Sequence, residues 1–131
     1  SSIQIPKGKR GGRGVIDALR NGVSIALLVD QKLNDGISVP FMGREAMTAP
    51  AAARLSLKFG APIIPGTIVR LRGANFRLLV HDPIDYRPTG DAAGDVRALT
   101  QLVNESIERD IRARPGQWLW FHRRWSKPPK R

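Results

Sequence analysis

Ile25-Ala26-Leu27-Leu28-Val29 is apolar without interruption and ends at Asp30. A strand with one wet face alternates polar and apolar residues, whereas an unbroken apolar run has to be covered on both faces. Pro62 to Val69, PIIPGTIV, has the same character, with Pro65-Gly66 marking a bulge or an edge. Two such strands require a sheet with helices on its faces, so the chain is expected to be α/β.

The remaining patterns supply the helices. Val15 to Arg20 reads as a short helix closed by Asn21-Gly22. Residues 30–47 read as a long irregular stretch with one extended piece, Ile37 to Phe41; a loop of this length after a buried strand is often functional. Thr48 is placed to cap a helix that starts near Ala49-Pro50, runs to about Phe59 and stops at Gly60. Ala52, Leu55 and Phe59 share one face of it. Asn75 to Val80 alternates, with Phe76, Leu78 and Val80 on one side, and Gly73-Ala74-Asn75 forms a hairpin turn before it. After a polar loop, Ala92 to Arg112 carries Val96, Leu99, Val103, Ile107 and Ile111 at helical spacing, until Pro115-Gly116 ends the helix. The order is helix, strand, loop, helix, strand, strand, helix, tail. It predicts a partial αβα layered domain with a mixed, mostly parallel sheet, and so few strands suit part of a larger sheet whose first strands precede residue 1.

Charge divides the chain. Residues 1–14 hold Lys7, Lys9, Arg10 and Arg13 and no acid, and residues 115–131 hold Arg123, Arg124, Lys127, Lys130 and Arg131 and no acid. These account for most of the net +11. Residues 1–13 are therefore expected to be a basic flexible segment and 14–131 a single domain. Basic ends of this kind bind phosphates, anionic headgroups or an acidic partner. With no cysteine and two isolated histidines, neither a disulfide framework nor a structural metal site is expected. No apolar run approaches the roughly 20 residues that span a bilayer, so the chain is expected to be soluble or peripheral.

Four segments in order carry a resemblance: SIALLVDQ (24–31), GISVPFMGREAMTAP (36–50), FGAPIIPGTIVR (59–70) and NESIERDIRARPGQWLWFHRRW (104–125). Together they resemble the lipid A lauroyl/myristoyl acyltransferase family, within the glycerolipid acyltransferase-like superfamily, from about Gly14 to Pro128. The resemblance is to the C-terminal part of that family. It implies an enzyme that moves a fatty acyl chain from acyl carrier protein to a hydroxyl of a Kdo-bearing lipid A precursor. It further implies no cofactor, and work at the cytoplasmic face of a bacterial inner membrane. The family's His-x-x-x-x-Asp/Glu motif, whose imidazole is the general base, is not matched. Tyr86 lies five residues after His81 and Lys127 five after His122. The base is expected upstream of Ser1, and this chain alone is expected to be inactive.

Asp30 sits where α/β ligand sites form, at a strand's end, and the resemblance makes it a supporting active-site acid; a strand-end Asp also caps neighbouring N–H groups. Gln31 beside it is suited to a phosphate or sugar hydroxyl, or to loop backbone. Arg44, the Thr48 hydroxyl and the N-terminus of the following helix suit an anion, as do Arg123 and Arg124. Trp118, Trp120 and Trp125 interleave with those arginines as at a membrane interface, though at least one tryptophan is expected in the core. His81 is expected at the surface and His122 packed. The expected partners are the acyl carrier protein, the lipid A precursor and an anionic membrane surface, with no nucleic acid. An acyltransferase for another glycolipid, or a non-catalytic basic nucleic-acid-binding module, are the alternative readings of the same composition.

Overall fold

The computed structural model describes residues 9–121 and 123–126. Residues 1–8 of the basic leading segment, His122, Lys127, Lys130 and Arg131 lie outside the described residues. In chain order the elements are α1 (Lys9–Arg20), β1 (Lys32–Phe41), β2 (Arg44–Thr48), α2 (Ala51–Phe59), β3 (Gly66–Arg70), β4 (Phe76–Val80) and α3 (Ala92–Ala113), followed by a 3-10 turn at Pro115–Gln117. The fold is α/β. Its first helix begins earlier than Val15, so residues 9–13 are helical rather than part of a leading loop.

β1 and β2 form an antiparallel hairpin where the sequence suggested irregular chain. Its turn is Met42-Gly43, both at positive φ (52° and 73°), the backbone of a tight hairpin whose twist matches its strands. Positive φ is costly for methionine, and Met42 is held there by its N–H, which donates to Glu108 Oε1 at 2.8 Å. Alternation then works as physics requires. Val39 and Phe41 on one strand, and Ala46 and Thr48 on the other, point inward and are buried. The register slips between Lys32 and Ile37, both of which oppose Thr48. Gly36 lies in that bulge, where a Cβ would stand 2.2 Å from the Thr48 carbonyl oxygen, so only glycine fits.

α3 forms as its periodicity demands. Leu99, Val103 and Ile111 are buried against the β1–β2 hairpin and α2, and Asp91 caps the first turn by accepting from Gly94 N–H. Asn104, also buried, donates to the Pro40 carbonyl and ties helix to hairpin. The loop before α3 is organised by Asp95, which is buried. Its carboxylate accepts from Thr89 N–H and hydroxyl, Tyr86 hydroxyl and Gly90 N–H. These bonds, the Thr89 amide foremost, hold its pKa down from 3.8 to about 2. The hydrogen bond that Tyr86 donates to the Asp95 carboxylate raises its phenol above the ordinary value.

Four expectations change. The mostly parallel sheet is not found among the described residues: β1–β2 and β3–β4 are separate two-stranded antiparallel sheets. Each of these strands pairs with its neighbour in sequence, which needs only a turn, while parallel pairing needs a long crossover. Ile25–Val29 lies in no strand, and Leu28 is 87% exposed. Its composition suits a buried strand, but a strand also needs a neighbour for its N–H and C=O groups. Likewise β3, in the run expected to be buried, buries Val69 yet exposes Ile68, and β4 exposes Phe76, Leu78 and Val80. Finally, Thr48 does not cap α2. The residue before that helix is Pro50, with no side-chain cap, and the Thr48 hydroxyl donates to the Ala46 carbonyl instead. The helix stop is as read, with Gly60 left-handed at φ 64°.

Gly36→Ala is expected to lower stability by about 1–3 kcal/mol, since the backbone oxygens it meets cannot swing away; an unchanged denaturation midpoint would contradict the close approach. Asp95→Asn is expected to destabilise at neutral pH, because an amide presents a donor to donors. Asp95's folded pKa is depressed, so its contribution is present above about pH 4 and is lost as pH falls through about 2. Thermal midpoints of the two proteins, measured against pH, should therefore converge across that interval; a constant gap would refute the assignment.

Candidate functional site

The C-terminal tail builds the site by folding back over the β1–β2 hairpin. Phe41, fully buried, is its centre, with Ala46 and Ile111 beneath and Met42, Ile107, Trp118 and Trp125 around it. Trp118 and Trp125 each lie 5.7 Å from the Phe41 ring and 6.3 Å from each other, tilted or edge-on, the arrangements aromatic quadrupoles favour. The polar ends of these rings are also used. Trp125 Nε1–H donates to the Phe41 carbonyl at 3.1 Å, and Trp118 Nε1–H donates to Asp30 Oδ2 at 3.3 Å. The tail is held at its start by Gln117. Its amide accepts from Arg70 N–H and donates to Arg70 carbonyl, as a neighbouring strand would.

Arg124 is the unusual member: a fully buried guanidinium. It donates to the Met47 carbonyl at 3.0 Å and the Thr48 hydroxyl at 2.8 Å, and its centre lies 4.6 Å from the Phe41 ring. Its Nε has no partner among the described residues. Burial pushes its pKa below the ordinary value, while the negative charge of Asp30 pulls it back up. An Arg in this position stays charged, so the carboxylate of Asp30 is its natural counter-ion. Arg44, exposed on β2, stacks 5.5 Å from Trp125 on the outer side of the cluster.

Half-buried Asp30 also borders an open, mainly apolar groove of about 520 Å³. Its walls are the 25–29 stretch, Ile64, Ile68, Leu78 and Ile107, with Trp118 beside Asp30. A second carboxylate, Asp110, stands in the same groove within 3.0 Å of His81 Nε2, so His81, partly exposed, is also engaged. The arrangement is a greasy trough with a carboxylate held by an indole N–H at its rim. Such a site can seat an aliphatic chain and orient a polar group at its end.

Of the residues singled out from sequence, the fold brings together Asp30, Arg44, Thr48, Trp118, Arg124 and Trp125. Gln31 and Arg123 are exposed, and Trp120 is half-exposed, edge-on to Trp118 at 4.7 Å. Thr48 and Arg124 spend their polar groups on each other. Trp118 and Trp125 pack against the core rather than lying at a surface. Sequence reasoning missed Phe41 as the hub and Gln117 as the fastener. Both lay inside quoted motifs, V-P-F and P-x-Q-W, where position signalled importance without revealing the contact.

Comparisons with known proteins now have a geometry to attach to. A family model described as bacterial lipid A biosynthesis acyltransferase matches residues 5–127. Lipid A biosynthesis palmitoleoyltransferase of Escherichia coli (strain K12) is 30% identical over 126 residues, covering 93% of this chain. A lipid A biosynthesis acyltransferase of Shigella flexneri is similar to the same extent. Phosphatidylinositol mannoside acyltransferase of Mycobacterium tuberculosis is 26% identical over 110 residues, 83% of this chain. The chain spans about 40% of the length of the first two relatives and 33% of the third.

If Arg124 is the latch between tail and hairpin, Arg124→Ala should cost about 2–4 kcal/mol, by stranding the Met47 carbonyl and opening a cavity beside Phe41. The neighbouring exposed Arg123→Ala should stay within about 0.5 kcal/mol. Urea denaturation of both variants checks this; equal losses would remove the distinction.

Proposed function

The chain belongs to the bacterial lipid A biosynthesis acyltransferase family, and on that premise we propose that it forms the acceptor-side wall of an O-acyltransferase site. In a polypeptide of the relatives' length it is the C-terminal part of one acyltransferase-like layered domain. The reaction is transfer of a fatty acyl chain from the thioester of acyl carrier protein to a hydroxyl of a Kdo-bearing lipid A precursor. A general base, an imidazole from outside this chain, takes the hydroxyl proton. The resulting alkoxide oxygen attacks the thioester carbonyl, the tetrahedral oxyanion collapses, the C–S bond breaks, and the thiolate leaves to take up a proton.

Within that scheme the residues of this chain orient rather than abstract. Asp30 fixes the direction of the acceptor hydroxyl or the charge of the base. Trp118, by its indole hydrogen bond, holds that carboxylate in one orientation beside the buried Arg124. The apolar groove it borders is suited to a hydrocarbon chain, and Arg44 and Arg123, both exposed, are suited to the phosphates of the acceptor and to an acidic carrier protein. The observation that supports this reading most is the coincidence of two facts. The family match covers nearly the whole chain, and Asp30, held by the Trp118 indole, borders an apolar groove. Among the described residues no helix is long and apolar enough to cross a membrane. The proposed location is the cytoplasmic face of the bacterial inner membrane, with no cofactor required.

The mycobacterial relative favours a second reading, in which the same site serves another glycolipid acceptor. Asp30→Asn in a protein of the relatives' length is expected to lower acyl transfer at least tenfold while the folded protein keeps its wild-type circular dichroism, the amide oxygen still accepting from the Trp118 indole. Thin-layer chromatography of products from a lipid A precursor and from a phosphatidylinositol mannoside identifies the acceptor. Wild-type turnover by the variant would refute the role of Asp30, and transfer to the mannoside alone would replace the first acceptor with the second.

A further inference from the structure

The β3–β4 hairpin has little apolar anchorage. Of the five residues in each strand, Val69 alone is buried, with Leu79 half-buried beside it. β1 and α2 pack against α3, whereas β3 and β4 have only each other as an extensive neighbour among the described elements. Native structure opens first where few apolar contacts are buried. What holds the hairpin is polar and sits at its two ends. Near the turn, the Gln117 side chain accepts from Arg70 N–H at 2.8 Å and donates to the Arg70 carbonyl at 3.1 Å. Gln117 belongs to the body of the domain, since Trp118 after it packs on Phe41. At the root, both carboxylate oxygens of Asp110, on α3, lie within 3.1 Å of His81 Nε2. The register puts these attachments roughly 17 Å apart along the strands.

The ladder inside the hairpin depends on neither attachment. His81 N–H donates to the Pro65 carbonyl and Leu71 N–H to the Asn75 carbonyl. Alternation then places Thr67–Leu79 and Val69–Arg77 among the pairs that bond each other. The Arg70 N–H and C=O point out of the ladder, and Gln117 is their partner. The hairpin is also a wall. Ile68, Val69 and Leu78 line the groove beside Asp30, and so do Asp110 and Gln117, the side chains that hold the hairpin from the body.

We propose that β3–β4 is a hinged wall of this groove. It turns as one body about its root, where Asp110 holds His81, and Gln117 is the latch near its tip. Releasing the two Gln117 bonds and the Val69 contact lets the hairpin swing outward with its ladder intact. The groove then widens to admit an apolar ligand, a hydrocarbon or an aromatic ring system. Such a ligand restores cover to Val69, so ligand binding and latching oppose each other. This rests on the geometry of the groove and not on the acyl-transfer reading.

The test uses the 131-residue chain, amide hydrogen exchange read by NMR, and N-phenyl-1-naphthylamine as a neutral apolar probe. In the wild-type chain the Arg70 amide, after correction for intrinsic rates, is expected to exchange about tenfold faster or more than the Val69 and Leu79 amides, because the latch opens while the ladder persists. The Trp118 indole resonance reports probe in the groove, which it lines. Saturating probe is expected to speed Arg70 exchange about threefold or more. Rotation of the Gln117 side chain alone would leave that rate unmoved. Gln117→Ala is expected to bind the probe about threefold more tightly or better, with Val69 and Leu79 exchange within about threefold of wild type and circular dichroism unchanged. The control Gln101→Ala, which removes a bond to Glu105 within α3, is expected to alter neither. Arg70 exchange no faster than that of Val69 and Leu79, or indifferent to the probe, would overturn the proposal. A probe that leaves the Trp118 resonance in place, or unchanged probe affinity in Gln117→Ala, would overturn it too. So would loss of Val69 and Leu79 protection in that variant, the mark of a hairpin that melts rather than turns.

Discussion

The burial of the Phe41 ring between two indoles and a guanidinium is the constraint on which the rest of the structure depends. A hairpin alone is marginal in water, and β1–β2 has only one face that can be made dry. α3 covers that face from one side through Ile111 and Asn104. The tail covers it from the other with Trp118, Arg124 and Trp125. Once the tail is seated, two consequences follow without further cost. Thr48 and the Met47 carbonyl gain a buried donor, and Trp118 places its indole N–H against Asp30, which lies 88 residues away in sequence.

This arrangement explains how a surface-like composition yields an ordered site. Burying an arginine without a tight ion pair is unfavourable unless its donors are used and a charge of opposite sign stands near. Here two donors are used, an aromatic face lies beneath, and Asp30 supplies the opposing charge. The Trp118 indole holds Asp30 in place, and among the described residues no short ion pair engages it.

Much of the frame was legible from local signals. The stripe from Val96 to Ile111, the stop at Gly60 and the turn before Phe76 depend on periodicity, glycine conformation and turn residues close in sequence, and all three are found. The hairpin at 32–48 was not legible. Asn34-Asp35-Gly36 breaks alternation at a bulge, and Pro40 weakens a strand reading, while the pairing depends on the positive φ at Met42 that Glu108 stabilises from α3. Thr48 matched the pattern of a helix cap, yet its partner is Arg124, 76 residues on. Arg124 itself stands in a run of basic residues that reads as solvated. The 25–29 run illustrates the converse limit. Apolarity specifies that a strand wants cover, and nothing in the run specifies what supplies it.

The contact between the Trp118 indole and Asp30 joins the tail to the groove, and it has its own spectroscopic signature. The indole Nε1–H resonance of Trp118, in proton–nitrogen correlation NMR, reports whether that hydrogen bond is made. Asp30→Ala is predicted to move it strongly while leaving the other tryptophan resonances near their places, and Asp110→Asn is predicted to leave it unmoved. A Trp118 resonance that ignores the loss of the Asp30 side chain, or that moves equally in both variants, would contradict the contact.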